Sequence, residues 1–219
     1  MEKKFASLKE MRIIWNILFL TIKVNAYTVA VVGAHGGLGR ELVSQSLQKC
    51  HNVHAIVRRN SPIFKPSRKG WLSEDQTIRV PIVDKKLHIF TNFSESSYDS
   101  IIFCLSGAPF QKDDSYKIVN DICNNLPKKC KKICLVSAYG VGDSLKSANI
   151  GIQAMSAWYL KDVYTSKQIQ ENIICGISEK VETMILRPKV LSYDTIPFNP
   201  ISTTRQDLAR QILEWIDPH

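Results

Sequence analysis

Residues 27–59 read YTVAVVGAHGGLGRELVSQSLQKCHNVHAIVRR, and this stretch decides the fold. The apolar run Tyr27–Val32 predicts a buried strand, Leu38–Lys49 has apolar residues at helical spacing, and Val53–Val57 predicts a second strand. Glycines connect the first strand to the helix. A strand that delivers such a loop to a helix N-terminus is typical of sites that bind the pyrophosphate of a dinucleotide.

Each of three spaced glycines has a mechanical role in such a loop. Gly33 lets the chain turn tightly, Gly36 lets backbone N–H groups approach the phosphates, and Gly39 lets the helix pack closely on the strand. We therefore predict that the dinucleotide contacts the loop residues Gly33, His35, Gly36, Gly37, Leu38 and Gly39. A glycine-rich turn without a ligand is the alternative.

The end of the second strand indicates which dinucleotide is preferred. A chain that prefers NAD usually has an acid about 20 residues after the loop, where it binds the ribose 2′-hydroxyl. Here Arg58 and Arg59 occupy that place, and a guanidinium pairs bidentately with a 2′-phosphate. We expect at least one of the two to bind the 2′-phosphate, and hence NADP(H) to be preferred over NAD(H). A solvated strand end is the alternative.

Strands and helices alternate along the remaining chain. Further strands are predicted at Ile78–Val83, Ile101–Leu105, Ile133–Val136 and Thr183–Leu186, and further helices at Ser115–Asn125, Ala154–Ile174 and Gln206–Trp215. Continuously apolar strands that alternate with helices predict a doubly wound parallel sheet between two helical layers, a single-domain three-layer α/β/α fold. The loops after the strands then meet at one edge, which brings Leu105, Ser106, Gly107 and Ser137 towards the glycine loop.

Composition and charge limit the alternatives. The chain has 219 residues, 44% hydrophobic and 22% charged, with a net charge of +9, of which +6 remains on 27–219. Since no nucleic-acid motif or interleaving of basic and aromatic residues occurs, we expect no nucleic-acid partner. The six cysteines show no CxxC spacing and no accompanying histidine cluster, so no metal site is predicted.

The first 26 residues resemble a targeting segment. Basic residues precede the apolar run Ile13–Ile22, and Val24-Asn25-Ala26 has small residues where a signal peptidase reads. The run is too short to span a bilayer comfortably. We predict a signal peptide or membrane anchor at 1–26 and a dinucleotide-binding domain at 27–219. The chain would then reach the secretory pathway or an organelle beyond it, where the sequon Asn92-Phe93-Ser94 would matter. The core-like cysteines favour the alternative, the cytoplasm or an organelle stroma.

At these positions the chain resembles the atypical short-chain dehydrogenase/reductases, especially the NAD(P)H-binding, NmrA-like group with its small biliverdin and flavin reductases. The resemblance rests on segments in the group's order, namely GAHGGLG, HAIVRRN, YDSIIFCLSGA, KKICLVSAYGVGDS, ETMILRPKVL and ISTTRQDLARQIL. It implies a Rossmann fold with Gly33, Gly36, Gly39 and Arg58 at the cofactor. It also implies Asp84 near the adenine and Ser137 facing the nicotinamide.

The catalytic residues are less defined. Better-known members use a Tyr-x-x-x-Lys pair, which this chain lacks because Val163 and Gln168 follow Tyr159 and Tyr164 at that spacing. Ser137, Tyr139 and the pair Tyr164 and Lys167 are the candidates to hold or protonate a substrate oxygen. The leading prediction is an NADP-dependent oxidoreductase acting on a small carbonyl, quinone-like or conjugated substrate. The alternatives are a non-catalytic NADP(H)-binding sensor, scaffold or assembly factor, and, more weakly, a sugar-nucleotide epimerase-like enzyme.

Overall fold

The computed structural model of the protein describes residues 26–65, 78–93, 97–108, 110–192 and 202–218. The predicted targeting segment, apart from Ala26, lies outside these residues, as does Ser94 of the sequon. The strands are β1 (Thr28–Val32), β2 (Asn52–Ile56), β3 (Phe64–Lys65), β4 (Ile78–Pro81), β5 (Leu87–Phe90), β6 (Ser100–Phe103), β7 (Lys132–Val136), β8 (Glu182–Leu186), β9 (Val190–Ser192) and β10 (Ser202–Thr204). The α-helices are α1 (Gly37–Gln48), α2 (Ser115–Asn124), α3 (Ile150–Ala154), α4 (Lys161–Gly176) and α5 (Arg205–Ile216).

Six strands form one parallel sheet in the order β5-β2-β1-β6-β7-β8. All of them start at one edge, called here the amino edge, and finish at the opposite carboxyl edge. The chain runs outward from β1 in one direction and then returns to continue from β6 in the other. Loops at the carboxyl edge therefore diverge on either side of β1 and β6, and a crevice opens between them.

Helices cover both faces of the sheet. Along β1, Val29 and Val31 pack into one apolar cluster with α1 and α5, whereas Ala30 and Val32 pack into a second with α2 and α4. This alternation follows from the period-two direction of strand side chains. It confirms the predicted single-domain, three-layer Rossmann fold.

The third strand of the sheet is not the one predicted. Ile78–Pro81 instead pairs antiparallel with Phe64–Lys65 as the hairpin β3–β4, and the strand beside β2 is Leu87–Phe90. The register Val53↔Leu87 puts the loop 82–86 at the amino edge. Asp84 therefore lies at the wrong edge for an adenine contact, and that prediction is wrong.

The described parts of the segments that lead into and out of β5 contain no helix. The face of β2 and β5 is covered by rings instead, with His54 at 5.1 Å from His88, 5.0 Å from Phe90 and 5.2 Å from Tyr98 between ring centroids. Burial, followed by the nearby His88, lowers the pKa of His54. The neutral imidazole fits this apolar cluster.

The predicted long helix 154–174 is interrupted. A π-helical turn, Met155–Tyr159, separates α3 from α4, and the Leu160 N–H donates to the Met155 carbonyl five residues back at 2.8 Å. Such turns hold one extra residue and are frequent at functional sites. In the part of the chain that the structure describes, none of the helices has the length and apolarity needed to cross a bilayer.

Candidate functional site

The glycine loop is held by backbone contacts that only glycine permits. Gly33 has φ +89°, and a Cβ there would lie 2.8 Å from the Cys104 carbonyl oxygen at the end of β6. A Cβ on Gly39 would overlap the Gly33 carbonyl oxygen and lie 2.8 Å from Ala34 Cα. The first glycine therefore keeps the loop against the sheet, and the last keeps α1 against the loop.

The N-terminus of α1 is open to a ligand. Gly36 occupies the cap position without a capping side chain, and its own N–H donates to the Gly33 carbonyl at 3.0 Å. The N–H groups of Gly37, Leu38 and Gly39 have no acceptor among the residues described. A Cβ on Gly36 would lie 3.3 Å from the Gly33 oxygen, so a side chain would narrow this cradle. Unpaired amides and the helix dipole fit a pyrophosphate.

A cleft of about 930 Å³ opens beside this loop at the carboxyl edge. Its walls come from the ends of β1, β2, β5 and β6 and from one side of α2. The lining residues are Val32, Gly33, His35, Gly36, Ile56, Val57, Arg58, Arg59, Ser61, Thr91, Asn92, Phe93, Cys104, Leu105, Ser106, Ile118, Asp121 and Ile122. The cleft lies at the switch point of the sheet, where open α/β folds bind ligands.

Both arginines after β2 line this cleft. Arg58 and Arg59 are exposed, and neither guanidinium has a hydrogen-bond or ion-pair partner among the described residues. Their charges are therefore available to an anionic group. His35 is held differently, because its Nε2 lies 3.2 Å from both the carbonyl oxygen and the hydroxyl of Ser61. The imidazole thus ties the glycine loop to the segment after β2.

The segment after β5 supplies wall residues that the sequence reasoning missed. Thr91, Asn92 and Phe93 line the cleft where Asp84 was expected. Asp84 instead accepts a hydrogen bond of 2.8 Å from the Lys86 N–H at the amino edge. Once Leu87–Phe90 is recognised as the third strand, these three residues follow from its carboxyl end.

The loop after β6 contributes only in part as predicted. Leu105 and Ser106 line the cleft, but Gly107 does not and instead packs against Asp113. A Cβ on Gly107 would lie 2.8 Å from the Asp113 side chain. Glycine at this position therefore lets the loop pack closely against Asp113, just before α2.

Lys167 is buried rather than part of an exposed helix face. Its side chain is 3% exposed, and its Nζ donates to the carbonyls of Leu105 and, at 2.7 Å, Val136. A third, longer contact of 3.5 Å reaches Gln170 Oε1. Burial lowers the pKa of Lys167 to about 8, against the opposing effects of Cys104, Asp113 and Glu171. The amine therefore links the carboxyl ends of β6 and β7.

The other predicted catalytic residues do not converge on the cleft. The Ser137 hydroxyl is buried, without a hydrogen-bond partner among the described residues, and outside the cleft lining. The Tyr139 hydroxyl donates to the Ser147 carbonyl at 2.9 Å, and the Tyr164 hydroxyl donates to the Tyr139 carbonyl at 3.0 Å. Burial raises the pKa of Tyr164. Tyr164 and Lys167 thus hydrogen-bond to different parts of the chain. The hydroxyl protons of Tyr139 and Tyr164 are both donated to backbone carbonyls.

Exposed aromatic rings form a second feature of the carboxyl edge. Phe110 is 67% exposed and Trp158 78% exposed, and the Phe110 ring lies 6.0 Å from Trp158 and 4.8 Å from Tyr159. We call Phe110, Trp158 and Tyr159 the aromatic cluster. It joins the loop after β6 to the π-helical turn. Apolar exposure of this kind marks binding surfaces.

No three His, Cys, Asp or Glu side chains of the described ranges come together in a way that holds a metal ion. The six cysteines are free thiols. Cys134 is buried and Cys104 half-buried, whereas Cys50 and Cys175 are exposed and so do not belong to the core. Burial raises the pKa of Cys104 to about 12, so this thiol is neutral where it lines the cleft.

A parallel sheet with this strand order, a glycine loop at the switch point and an open helix N-terminus define a dinucleotide-binding Rossmann protein. The sequence profile of the NAD(P)H-binding family matches residues 33–217. The chain belongs to this family. A comparison with curated protein sequences gave no match.

Solved structures with the same fold include several reductases. The structure of ChuY, an anaerobillin reductase from Escherichia coli O157:H7, shares 18% identity over 87% of this chain and 90% of its own, with a TM-score of 0.59. A putative NADH-flavin reductase from Streptococcus pneumoniae shares 12% over 88% and 94%, with a TM-score of 0.58. A short-chain dehydrogenase/reductase from Veillonella parvula in complex with NADP shares 12% over 86% of each chain, with a TM-score of 0.59. At these identities the likeness shows the fold alone.

Proposed function

We propose that the protein is an oxidoreductase that binds NADP(H) in preference to NAD(H) and reduces a planar conjugated acceptor of the flavin or quinone class. One observation carries the proposal, namely that Arg58 and Arg59 line the same cleft as the glycine loop and that neither guanidinium has a partner among the described residues. A 2′-phosphate at the end of β2 would receive charge-assisted hydrogen bonds from either arginine. An NAD-preferring site has a carboxylate there instead.

The residues that hold the cofactor follow from the cleft. The N–H groups of Gly37, Leu38 and Gly39 would bind the pyrophosphate, and Thr91, Asn92 and Phe93 would contact the adenosine half. When bound, NADPH supplies a hydride, which is two electrons and one proton. The protein contributes orientation and exclusion of water rather than redox chemistry of its own.

The acceptor class follows from the proton donors. Reduction of a simple carbonyl generates an alkoxide, which needs an acid at the site. The hydroxyl protons of Tyr139 and Tyr164 and the Lys167 amine are all donated within the chain. The Ser137 hydroxyl has no partner among the described residues, but it is buried outside the cleft lining. A flavin or quinone that accepts hydride delocalises the resulting negative charge and takes its second proton from water. Such an acceptor therefore does not need the Tyr-x-x-x-Lys pair.

The aromatic cluster supports the same class. Phe110, Trp158 and Tyr159 lie on the carboxyl edge, on the segments after β6 and before α4, and offer ring surfaces to a planar guest. Two structures that share the fold are described as an anaerobillin reductase and a putative NADH-flavin reductase, and the flavin named in the second description is a planar conjugated molecule.

The rival is a non-catalytic NADP(H) sensor or scaffold, and the same engaged hydroxyls favour it. The two are separated by following NADPH oxidation with a flavin, a quinone and an aldehyde. We expect turnover with the first two and none with the aldehyde. Silence across all three, with NADPH binding intact by fluorescence titration, would establish the rival.

Two variants sharpen this test. Tyr139→Phe and Tyr164→Phe each remove one hydroxyl that the proposal treats as structural. We expect the turnover number with the best acceptor to stay within about threefold, while stability falls by about 1 kcal/mol for each lost hydrogen bond. A loss of a hundredfold or more in either variant would identify that tyrosine as the proton donor and return simple carbonyls to the substrate class.

A further inference from the structure

Residues 58–62 connect β2 to β3 and carry both arginines of the cleft, yet they have little backbone support. The chain bends at Arg58 and Arg59, and four of the five residues are exposed. In the part of the chain that the structure describes, no backbone–backbone hydrogen bond involves them. We call residues 58–62 the arginine segment.

Both ends of the arginine segment are fixed to the fold. On one side the Val57 N–H donates to the Phe90 carbonyl at 2.9 Å. On the other side Ile63 is fully buried in the cluster with α1 and α5, and its carbonyl accepts from the Ile82 N–H at 2.8 Å. A span without hydrogen bonds between two such anchors adopts several backbone arrangements unless a further contact selects one.

His35 of the glycine loop supplies that contact. Its Nε2 lies 3.2 Å from both the carbonyl oxygen and the hydroxyl of Ser61. With a proton on Nε2 the ring donates to the carbonyl, and in the other tautomer Nε2 accepts from the hydroxyl, so either tautomer keeps the link. Within the described ranges, no other hydrogen bond or ion pair reaches the arginine segment.

The glycine loop and the arginine segment face two parts of one ligand. In the proposed binding mode the pyrophosphate lies on the open N-terminus of α1, and the 2′-phosphate lies at Arg58 or Arg59. Covalent bonds limit the separation of these two groups within a dinucleotide. A link that holds the segment at a matching separation before the ligand arrives lowers the cost of ordering it on binding.

We infer that His35 is a positioning residue for cofactor selectivity, because its imidazole ties the arginine segment to the glycine loop and so aligns the arginines with the 2′-phosphate. The inference rests on the proposed function, which puts that phosphate at the arginines. NADH has a hydroxyl in place of the phosphate and does not use the alignment. His35 therefore contributes to the binding of NADPH and much less to that of NADH.

Fluorescence titration of the full chain with NADPH and NADH tests this inference, with selectivity defined as the ratio of the two dissociation constants. A neutral hydrogen bond is worth about 1 kcal/mol, so selectivity should fall about fivefold in His35→Ala. His35→Gln keeps an N–H donor of similar reach and should stay within about twofold of the wild type. The matched control is His88→Ala, which removes an exposed imidazole outside the cleft lining and should keep the wild-type selectivity.

A double-mutant cycle tests whether His35 acts through the arginines. The variant Arg58→Gln/Arg59→Gln should by itself lose most of the preference for NADPH, and this part of the cycle tests the proposed function. Adding His35→Ala to that variant should change selectivity no further, because no guanidinium is left to align. A direct contact between the imidazole and the 2′-phosphate would instead give the same loss in both backgrounds.

Three results would overturn the inference. The first is an unchanged selectivity in His35→Ala, including equal losses of affinity for NADPH and NADH. The second is a fivefold loss of selectivity in His35→Gln, and the third is a loss from His35→Ala that persists without the arginines. If Arg58→Gln/Arg59→Gln loses selectivity while His35→Ala does not, the inference alone fails. If the double arginine variant keeps the wild-type selectivity, the proposed function fails and the inference fails with it.

Discussion

Replacing the buried Lys167 with methionine offers a sharp test of the site's geometry, because its effect on stability depends on pH. The wild-type amine donates to the carbonyls of Leu105 and Val136, which methionine leaves without a donor. Each unpaired buried carbonyl costs about 1–3 kcal/mol. Methionine also removes the cost of burying a charge. The two effects oppose each other at neutral pH, so a single measurement there decides little.

The change with pH separates the two effects. Burial lowers the pKa of Lys167 from 10.5 to about 8, so between these values the unfolded chain binds a proton that the folded protein does not. The contribution of Lys167 to the free energy of unfolding therefore rises as the pH rises through that window. Below the folded-state pKa the folded protein bears the full cost of holding a buried charge. Relative to the variant, the wild type should gain about 2 kcal/mol in free energy of unfolding between about pH 7 and about pH 9.5. The neutral amine still has two protons, one for each carbonyl.

Urea denaturation of the wild type, Lys167→Met and Lys161→Met at both pH values measures this gain. Lys161 is exposed on the same helix, so its variant should follow the wild type at both values. Other titrating groups are common to all three proteins and cancel in the differences. If the difference in free energy of unfolding between the wild type and Lys167→Met changes by less than about 0.5 kcal/mol between the two pH values, the buried Lys167 amine does not link β6 to β7 as described.

Three further outcomes are expected. Arg58→Glu should weaken NADPH binding by about 10-fold to 150-fold, because a charge-assisted hydrogen bond is worth about 1.5–3 kcal/mol, while NADH binding should stay within about threefold. Lys65→Glu changes a residue outside the cleft lining and is the matched control. Equal losses of affinity for the two cofactors would place the 2′-phosphate elsewhere. Gly39→Ala should lower the free energy of unfolding by about 1–3 kcal/mol because its Cβ meets backbone, whereas Gly36→Ala should weaken dinucleotide binding at little cost in stability; similar denaturation midpoints for the two variants would argue against this division of roles. Protein glycosylated at Asn92 should fail to bind dinucleotide in a fluorescence titration until the glycan is removed enzymatically, and normal binding with the glycan present would show that Asn92 is not a wall of the binding site.

The part of the site that could be predicted from sequence is the part that is local in the chain. Gly33, Gly36 and Gly39 lie within one turn between a strand and a helix, so their spacing alone determines what the backbone can do. Arg58 and Arg59 come directly after a short apolar strand, so their position at its carboxyl end also follows from local sequence, and both line the cleft.

The errors arose where pairing between distant segments decides the structure. Ile78–Val83 and Leu87–Phe90 are both short and apolar, and nothing within either segment tells which one pairs with β2. Because Ile78–Val83 was taken as the strand of the sheet, Asp84 was predicted to lie at the cleft, and the wall residues Thr91, Asn92 and Phe93 were not predicted. Likewise, helical spacing predicts that Tyr164 and Lys167 lie near one face of the helix. Their actual partners are distant in sequence, because Tyr164 donates to the Tyr139 carbonyl and Lys167 donates to carbonyls at the ends of β6 and β7.

The π-helical turn Met155–Tyr159 gives the aromatic cluster an unusual dependence on chain length. Each residue of a helix advances the chain by about 100°, so deleting any one residue of this turn would swing everything before it by that angle relative to α4. Where Trp158 and Tyr159 face is therefore governed by how many residues the turn contains. An insertion or deletion at this point would therefore change the direction of Trp158 and Tyr159 while the helix that holds Lys167 stays in place.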